Sequence, residues 1–445
     1  MLPPGPLIES FINAAKEAKT IARMRDFVSQ NFYTLQMENM TEQEKSDMIR
    51  DFKREAHSCG VEVCLLDIVW KQKGKRKADE IAVEVSESSR SKSRTTASSK
   101  STGVSSFLSM LPSFEDQLKL NEKWMVDDTD VSSELALIRR KCIEKHRQGI
   151  SMKSAESLTL GSIFFFSKDR NKSVTCFFNL ATHKRILSSL DLKEKEYELP
   201  SVVDSWLTAL KKEAKGDNLK TLRLMLRSLL NSREADDDDD LMLVASALFS
   251  LVPKHRTWSA SCVVEDTFVK NQIADVIDVI LGQSDDISMH YEWCNKKLSI
   301  CVLKPDYTLS IEGRQAVNVE FFVVEVKTPS RNRNSNDFVK MGFILKFMLD
   351  NMVKHGMKKP KAFGLLVDGF NCYLYKMQLL YEAIYEMTEM ESFALPRSAD
   401  ELPLLKDFLQ SMLRVKAFAS EAFEELESAA ADADPQLLSR CRFAA

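Results

Sequence analysis

This sequence of 445 residues has few cysteines, histidines and glycines, and their spacing does not match the common metal-binding, disulfide or phosphate-binding motifs. The nine cysteines are an odd number without a Cys-x-x-Cys pair, and the six histidines are scattered. This distribution argues against a disulfide framework, a zinc ribbon and Cys/His catalysis, and it favours a reducing compartment. The sequence also contains no glycine-rich phosphate-binding loop and no internal repeat.

A strong net charge and a long apolar run are also missing. The formal net charge is −3, so any contact with nucleic acid must come from local basic patches. The longest apolar stretch, residues 241–252, is interrupted by serines and is too short to span a bilayer. The amino terminus lacks the hydrophobic region of a secretory signal. We therefore expect a soluble, intracellular protein of the nucleus or cytoplasm, neither secreted nor bound to a membrane.

The length and the 44% hydrophobic content predict about two or three units with real cores. Residues 1–70 are predicted to be helical, with an amphipathic pattern over residues 7–52 that suits a bundle or a partner surface. Residues 111–255 are predicted to be mainly helical, with one β-hairpin at residues 162–180. Residues 381–445 form a predicted helical extension with helices at 381–392 and 399–428, where Ser398 and Glu401 make a capping box. A homo-oligomer or a protein partner is expected to use these helical extensions.

Residues 71–110 differ in composition from the segments on either side. Basic residues outnumber acidic ones and are followed by a Ser/Thr-rich tract, so the segment has too little apolar surface to order itself. We predict a disordered linker. Its densest basic group has two open interpretations: a nuclear import signal or nucleic-acid contact, and a solvated charge run. This group consists of Lys71, Lys73, Lys75, Arg76 and Lys77.

The clearest chemical signal lies in a predicted strand at residues 317–327. The segment is rich in β-branched and aromatic residues and is bounded by Thr328-Pro329-Ser330, which predicts a buried strand. Because side chains alternate along a strand, Glu325 and Lys327 should point to the same face. A carboxylate on such a strand needs a compensating cation, supplied by a lysine or a bound metal.

Asp306 supplies a second carboxylate. It follows Lys304-Pro305 in a strand predicted over residues 298–311. If that strand ends near Glu325, the two carboxylates form an oxygen-ligand site suited to Mg²⁺ or Mn²⁺. Lys327 would then lie beside the attacking water.

The flanking elements have a definite order. Residues 265–280 and 336–355 carry apolar side chains at helical spacing, and each helix is followed by a glycine, Gly282 or Gly356. Two further strand-like runs, AFGLLVDG and NCYLYKMQL, are separated by Asp368-Gly369, which is typical of a tight turn. The predicted order is helix, two or three strands, helix and two strands.

This order, with Pro-Asp on one strand and Glu-x-Lys on the next, resembles the core of the PD-(D/E)XK, or restriction-endonuclease-like, nuclease superfamily. The resemblance covers residues 262–377, about a quarter of the chain. It implies an α/β core at residues 256–380, a mixed sheet flanked by helices, with a large helical N-terminal and a smaller helical C-terminal extension. It also implies Mg²⁺-dependent hydrolysis of nucleic acid, with DNA favoured as the substrate and RNA left open.

The same resemblance implies roles for individual residues. Asp306 and Glu325 would be metal ligands, and Lys327 would orient or activate the nucleophilic water and steady the transition-state charge. Glu265 would match the acidic residue often found on the first helix and would be a further metal ligand. Asp337, Lys340 and Gly342 complete a pattern similar to a set of uncharacterised fungal paralogues that carry Lys-Pro-Asp, Glu-Val-Lys and Asp-x-x-Lys-x-Gly in this order.

Several alternatives stay open at this point. Asp306, Glu325 and Lys327 also suit an internal salt bridge, and Glu265 suits the first turn of a helix because of the helix dipole. Four weaker candidates for nucleic-acid contacts also suit a solvated surface, namely Arg331, Arg333, Lys340 and Lys346. The alternative function is a catalytically inactive nuclease-like fold that binds nucleic acid or protein, and a third is an interaction protein with the core as scaffold.

Overall fold

The computed structural model describes thirteen segments of the chain. They are residues 4–17, 22–23, 42–59, 63–64, 123–190, 197–216, 218–258, 264–282, 288–293, 297–313, 317–329, 335–429 and 435–441. The predicted linker at residues 71–110, including its basic group, and the arginines at positions 331 and 333 lie outside them. The chain divides into two compact units, residues 1–97 and residues 98–445.

The first unit contains two packed helices and a short parallel strand pair. These elements are α1 (Pro4–Glu17), β1 (Ala22–Arg23), α2 (Glu42–Cys59) and β2 (Val63–Cys64). Apolar residues at helical spacing, among them Ile8, Ile12 and Phe52, are buried between α1 and α2. The prediction of helix throughout residues 7–52 is wrong at β1, because backbone pairing with β2 holds Ala22–Arg23 extended.

The second unit is an α/β structure. Its strands are β3 (Met125–Val126), β4 (Thr129–Asp130), β5 (Ile163–Phe166), β6 (Met289–Trp293), β7 (Tyr307–Glu312), β8 (Asn318–Lys327), β9 (Lys361–Asp368), β10 (Asn371–Tyr381) and β11 (Ile384–Ala394). Its α-helices are α3 (Val131–Arg147), α4 (Ser154–Thr159), α5 (Leu180–Ser189), α6 (Val202–Lys215), α7 (Leu219–Leu230), α8 (Arg233–Asp236), α9 (Asp239–Leu251), α10 (Glu265–Gln272), α11 (Ala274–Gly282), α12 (Ser335–Lys354), α13 (Leu405–Ser428) and α14 (Pro435–Arg440). Short 3₁₀ helices occupy Val174–Phe177, Val252–Thr257 and Ala399–Leu404.

Seven strands form one mixed sheet in the order β5-β11-β10-β9-β8-β7-β6. Strand β8 is parallel to β9 and antiparallel to β7, and β5 is parallel to β11. Helix α12 packs on one face, against β8, β9 and β10, and α13 packs on the other, where Phe418 stacks on Phe363. The expected α/β class, with a mixed sheet between helices, is therefore confirmed.

Two glycines allow α12 to lie close to its neighbours. Gly364 in β9 leaves room for Met341 and Leu345 of α12, and Gly342 in α12 faces Leu158 of α4. Any larger side chain at either position would occupy space already filled by these residues. This close packing fixes the amino-terminal turn of α12 beside the carboxyl ends of β8 and β9.

Strand β11 corrects the prediction of a helix at residues 381–392. Its residues pair with β10 along almost their whole length, after a tight turn in which Ala383 has φ 56°. Glu, Met and Ala favour helices locally, but two strand neighbours outweigh that weak preference. The boundary predicted at residue 380 falls within β10, so the sheet continues into the predicted C-terminal extension.

Four smaller predictions are also corrected. Residues 162–180 do not form a hairpin: β5 pairs with β11, and the second arm is a 3₁₀ helix that begins after Ser173. The helix predicted at 265–280 breaks at Ile273. The strand predicted at 298–311 starts only at Tyr307. The Ser398 side chain makes no capping hydrogen bond at the predicted capping box. The predictions of a helix at 336–355 and of strands β9 and β10 are confirmed.

No helix in the described parts of the chain is both long and apolar enough to cross a membrane.

Candidate functional site

Charged side chains gather where β8 and β9 end. The two strands are parallel, with Glu325 opposite Leu366 and Lys327 opposite Asp368. Gly369, at φ 64°, turns the chain directly after β9, and its amide donates a hydrogen bond to the Lys327 carbonyl at 2.9 Å. A left-handed turn is easily adopted by glycine, so this residue fixes the ends of both strands at one edge of the sheet.

Asp306 lies at the same edge, immediately before β7. Its amide donates to the Val324 carbonyl at 3.0 Å, and its Oδ2 accepts from the Val326 amide at 2.7 Å. Two backbone hydrogen bonds to β8 therefore fix the carboxylate of Asp306 next to Glu325.

Glu325 is fully buried, with 0% of its surface exposed. Burial raises the pKa of its carboxyl to about 7; the Lys340 ammonium opposes this rise, and the Asp306 carboxylate adds to it. Lys340 forms an ion pair with Glu325 Oε1. Glu325 therefore exchanges its proton near neutral pH, where a small change in its surroundings decides its charge.

Lys327 lies between this carboxylate cluster and α10. Its Nζ donates to the Val326 carbonyl at 2.8 Å and lies 3.9 Å from Glu265 Oε2. The structure thus brings together Asp306, Glu325, Lys327 and Glu265, the four residues that the sequence placed in one site. Glu265 contacts the site through Lys327, and it lies in the first turn of α10.

Helix α12 adds two residues, Asp337 and Lys340, three positions apart and so on one side of the helix. Lys340 bonds to Glu325 and also donates to the Lys304 carbonyl at 2.6 Å. Burial raises the pKa of Asp337, and the nearby ammonium groups of Lys327 and Lys340 oppose that rise. Sequence reasoning gave Asp337 no role, although the Asp-x-x-Lys spacing was the signal that pointed to it.

The weaker nucleic-acid candidates have different positions. Lys346 is completely buried at 0% exposure, with Nζ 2.6 Å from Asp350 Oδ2 and 4.3 Å from the centre of the Tyr385 ring. A phosphate cannot reach it, so its prediction as a nucleic-acid contact is wrong. Lys340 lies in the carboxylate cluster rather than on a solvated face.

The cluster can be tested for its fit to a divalent cation. Across the segments that the structure describes, no group of three or more His, Cys, Asp or Glu side chains forms a ready metal site. Within those segments, however, Glu325 Oε2 and Asp337 Oδ2 are buried without a hydrogen-bond partner. Buried carboxylate oxygens need a partner, and hard oxygen ligands suit Mg²⁺ or Mn²⁺. Asp306 and Glu325 offer carboxylate oxygens of the type that such an ion prefers, and Asp337 adds a third carboxyl group nearby.

A cavity of about 500 Å³ adjoins the cluster, and Lys327, Asp337 and Asp368 line one end of it. It lies over the face of the sheet that carries Glu325 and Lys327, beside the amino-terminal turn of α12. A ligand in this cavity would contact the Lys327 side chain directly.

Comparisons with protein-family models, with curated proteins and with solved structures find no match for the chain. The chemistry of the cluster is therefore the basis for inferring function.

Proposed function

We propose that this cluster hydrolyses phosphodiester bonds in nucleic acid, DNA rather than RNA, by PD-(D/E)XK-type chemistry with Mg²⁺ or Mn²⁺. The observation that carries the proposal is the meeting of Asp306, the buried Glu325 and Lys327 at one sheet edge, next to a cavity. Structural ion pairs have no need of a cavity beside them. Two buried carboxylate oxygens that lack hydrogen-bond partners in the described segments add support.

In this proposal each residue has a separate task. Asp306 and Glu325 would hold the ion, which would supply polarisation of water and neutralisation of charge on the phosphate. Lys327 places its ammonium where negative charge develops on the phosphate oxygens. Glu265, 3.9 Å from Lys327 Nζ, positions that ammonium. Water forms the new bond to phosphorus and loses one proton to solvent, one ester bond breaks, and the leaving oxygen takes up one proton from solvent.

The direct test incubates purified protein with labelled single-stranded and duplex DNA and with RNA, in Mg²⁺, in Mn²⁺ and in EDTA. We expect cleavage that requires the divalent ion and that is faster on DNA. Protein that binds Mg²⁺ by calorimetry but cuts none of these substrates would contradict the proposal.

Metal affinity should depend on pH because of Glu325. Burial raises the pKa of its carboxyl from 4.5 to about 7, and only the carboxylate form holds a cation. Below about pH 7 the apparent dissociation constant for Mg²⁺ should therefore rise by about ten-fold per pH unit, because one proton competes with the ion. Calorimetry at about pH 6 and about pH 8 measures this change.

The matched control is Glu325→Gln, which cannot titrate and should bind Mg²⁺ weakly at both pH values. Because the folded pKa lies above the unfolded value, Glu325 also makes the metal-free protein less stable as pH rises from 4.5 to about 7. Equal Mg²⁺ affinity of the wild-type protein at both pH values would show that Glu325 is not a ligand.

One observation favours the second candidate, a nuclease-like fold that binds nucleic acid or protein without turnover. The Lys340 ammonium already balances the negative charge of the Glu325 carboxylate, so this buried charge does not require a metal ion. In this case Lys340→Met should leave nucleic-acid binding independent of Mg²⁺. In a working nuclease the same variant removes the cation that competes with the ion for Glu325, so affinity for the ion should increase at pH values above the pKa of Glu325, which the loss of Lys340 raises further.

We also propose that the basic group at residues 71–77 directs nuclear entry. Replacing its five Lys and Arg residues with Ala in a fluorescent fusion should abolish nuclear accumulation. The melting temperature should not change, because a charged run of this composition buries little apolar surface. A fusion that still concentrates in nuclei, with an unchanged salt dependence of DNA binding, would leave this group without a targeting role.

A further inference from the structure

The cavity beside Lys327 has an unusual lining for a hydrolytic site. It lies between β9, β10 and β11 of the sheet, the amino-terminal turn of α12, α4 and the segment after β5. Both charged groups and aromatic rings line it. The residues that matter for its chemistry are Lys153, Phe165, Lys172, Phe177, Phe338 and Tyr375.

Three of the rings form a fixed cluster. The Phe165 and Phe338 rings are 4.9 Å apart at 75°, and the Phe338 and Tyr375 rings are 5.4 Å apart at 63°. Phe165 and Tyr375 complete the triangle at 5.9 Å and 73°. The rings come from β5, α12 and β10, so three separate elements hold them; Phe165 and Tyr375 are almost fully buried, and Phe338 is the more exposed of the three. Flat apolar surfaces of this kind favour a flat, polarisable ring as occupant.

The charged groups that line the cavity indicate which polar groups the ligand carries beside its flat ring. Lys327 is at the end shared with the carboxylate cluster, and Lys153 and Lys172 line the wall from α4 and from the segment after β5. Glu156, Asp337 and Asp368 also line the cavity, so its charge is mixed, and each of the three ammonium groups can bond to an anionic group that a lipid chain or an apolar peptide lacks. Glu389, opposite Tyr375 in the sheet, offers a carboxyl group that can bond to the edge of a heterocycle. A nucleotide has all three features: a flat ring, a polar edge and a phosphate.

The volume further restricts the ligand. A cavity of about 500 Å³ is in the range of small-molecule sites and cannot admit a double helix. A base inside a duplex is stacked on both faces, so only an unpaired or extruded base can enter. We propose that this cavity binds one unpaired base of the nucleic-acid strand, which places the adjoining phosphate at Lys327. The substrate is then single-stranded DNA or a strand with an extruded nucleotide; the place of the phosphate rests on the proposed function.

Binding in EDTA tests the base pocket separately from hydrolysis. The probes are a fluorescein-labelled DNA strand, its duplex, and an abasic sugar-phosphate strand of equal length, each measured by fluorescence anisotropy. We expect the single strand to bind more tightly than either of the other two. Phe338→Leu should weaken binding of the single strand by roughly five-fold to one-hundred-fold, the usual effect of losing one stacking ring. Phe338→Tyr keeps the ring and should retain most of the affinity.

Phe177→Leu provides a second variant that does not threaten folding, because Phe177 is 50% exposed while it also lines the cavity. Its matched control is Leu224→Ala, at a residue that is 55% exposed on α7 and does not line the cavity. We expect weaker binding of the single strand only for Phe177→Leu.

The possible outcomes separate the pocket from the hydrolysis. Equal affinity for the normal and the abasic strand, or affinity for the duplex that matches the single strand, overturns the base pocket even if Mg²⁺-dependent cleavage is seen. Base-dependent binding without any cleavage supports the pocket and refutes the hydrolysis instead.

Discussion

Lys327→Ala should lower the rate of phosphodiester hydrolysis by about 10²- to 10³-fold while Mg²⁺ affinity stays largely unchanged. Lys327 lines the cavity, and an ammonium is not a metal ligand, so in the proposed reaction its loss removes stabilisation of the transition state alone. Asp306→Asn and Glu325→Gln should instead weaken both hydrolysis and Mg²⁺ binding, because their carboxylates hold the ion. Single-turnover cleavage gives the rate, and calorimetry gives the affinity.

Two controls make this result specific. Lys327→Arg keeps the positive charge and should retain more activity than Lys327→Ala, although the different shape of the guanidinium will not restore the full rate. Lys172→Ala removes a lysine from the far wall of the same cavity and should alter substrate binding more than the rate of the chemical step. Wild-type rates for Lys327→Ala would exclude this lysine from the reaction.

The main elements of the site were predictable because their signals are local. Alternation along β8 places Glu325 and Lys327 on one side, and the turn at Asp368-Gly369 follows from short-range backbone preferences. Asp306 reaches the same edge because β7 and β8 are sequential antiparallel neighbours, the commonest arrangement in such sheets.

The remaining features depend on contacts between distant parts of the chain. Nothing local indicates that β5 adds to the sheet beside β11, more than two hundred positions away in the sequence. The aromatic triangle of the cavity depends on that pairing, since Phe165 lies in β5, so the cavity was not predictable either.

The burial of Lys346 in α12 could also not be predicted from the local sequence. A lysine on an amphipathic pattern is normally assigned to the solvated side. Helix α12, however, packs against the sheet and also against α4 and α14, so it has little solvated surface in its middle. The burial of Lys346 therefore follows from tertiary packing, and only its spacing of four positions from Asp350 hinted at an ion pair.

The buried pair of Lys346 and Asp350 leads to the largest expected change in stability. Asp350 Oδ2 accepts from Lys346 at 2.6 Å, and Asp350 Oδ1 accepts from the Tyr385 hydroxyl at 2.5 Å. Asp350→Asn removes the carboxylate that pairs with the buried ammonium, and Lys346→Met removes the ammonium that pairs with the buried carboxylate. Each single change should lower the free energy of unfolding by about 3–5 kcal/mol, the usual cost of breaking a buried pair from one side.

The double variant separates charge from packing. Lys346→Met with Asp350→Asn removes both charges, while the Asn oxygen still accepts from the Tyr385 hydroxyl. Its loss of unfolding free energy should therefore be much smaller than the sum of the two single losses. Urea unfolding followed by near-ultraviolet circular dichroism measures all four proteins, and strictly additive losses would show that the two side chains do not interact.

The pH dependence of Lys346→Met gives an independent check on the same pair. Burial raises the pKa of Asp350, and without Lys346 only the hydrogen bonds from Tyr385 and Cys441 oppose that rise. A carboxyl whose folded pKa lies above its unfolded value destabilises the folded state most at high pH and less as pH falls and it takes up a proton. The stability gap between Lys346→Met and wild type should therefore narrow from about pH 8 to about pH 5. A gap that widens towards acid pH would mean that Asp350 is not the group left uncompensated.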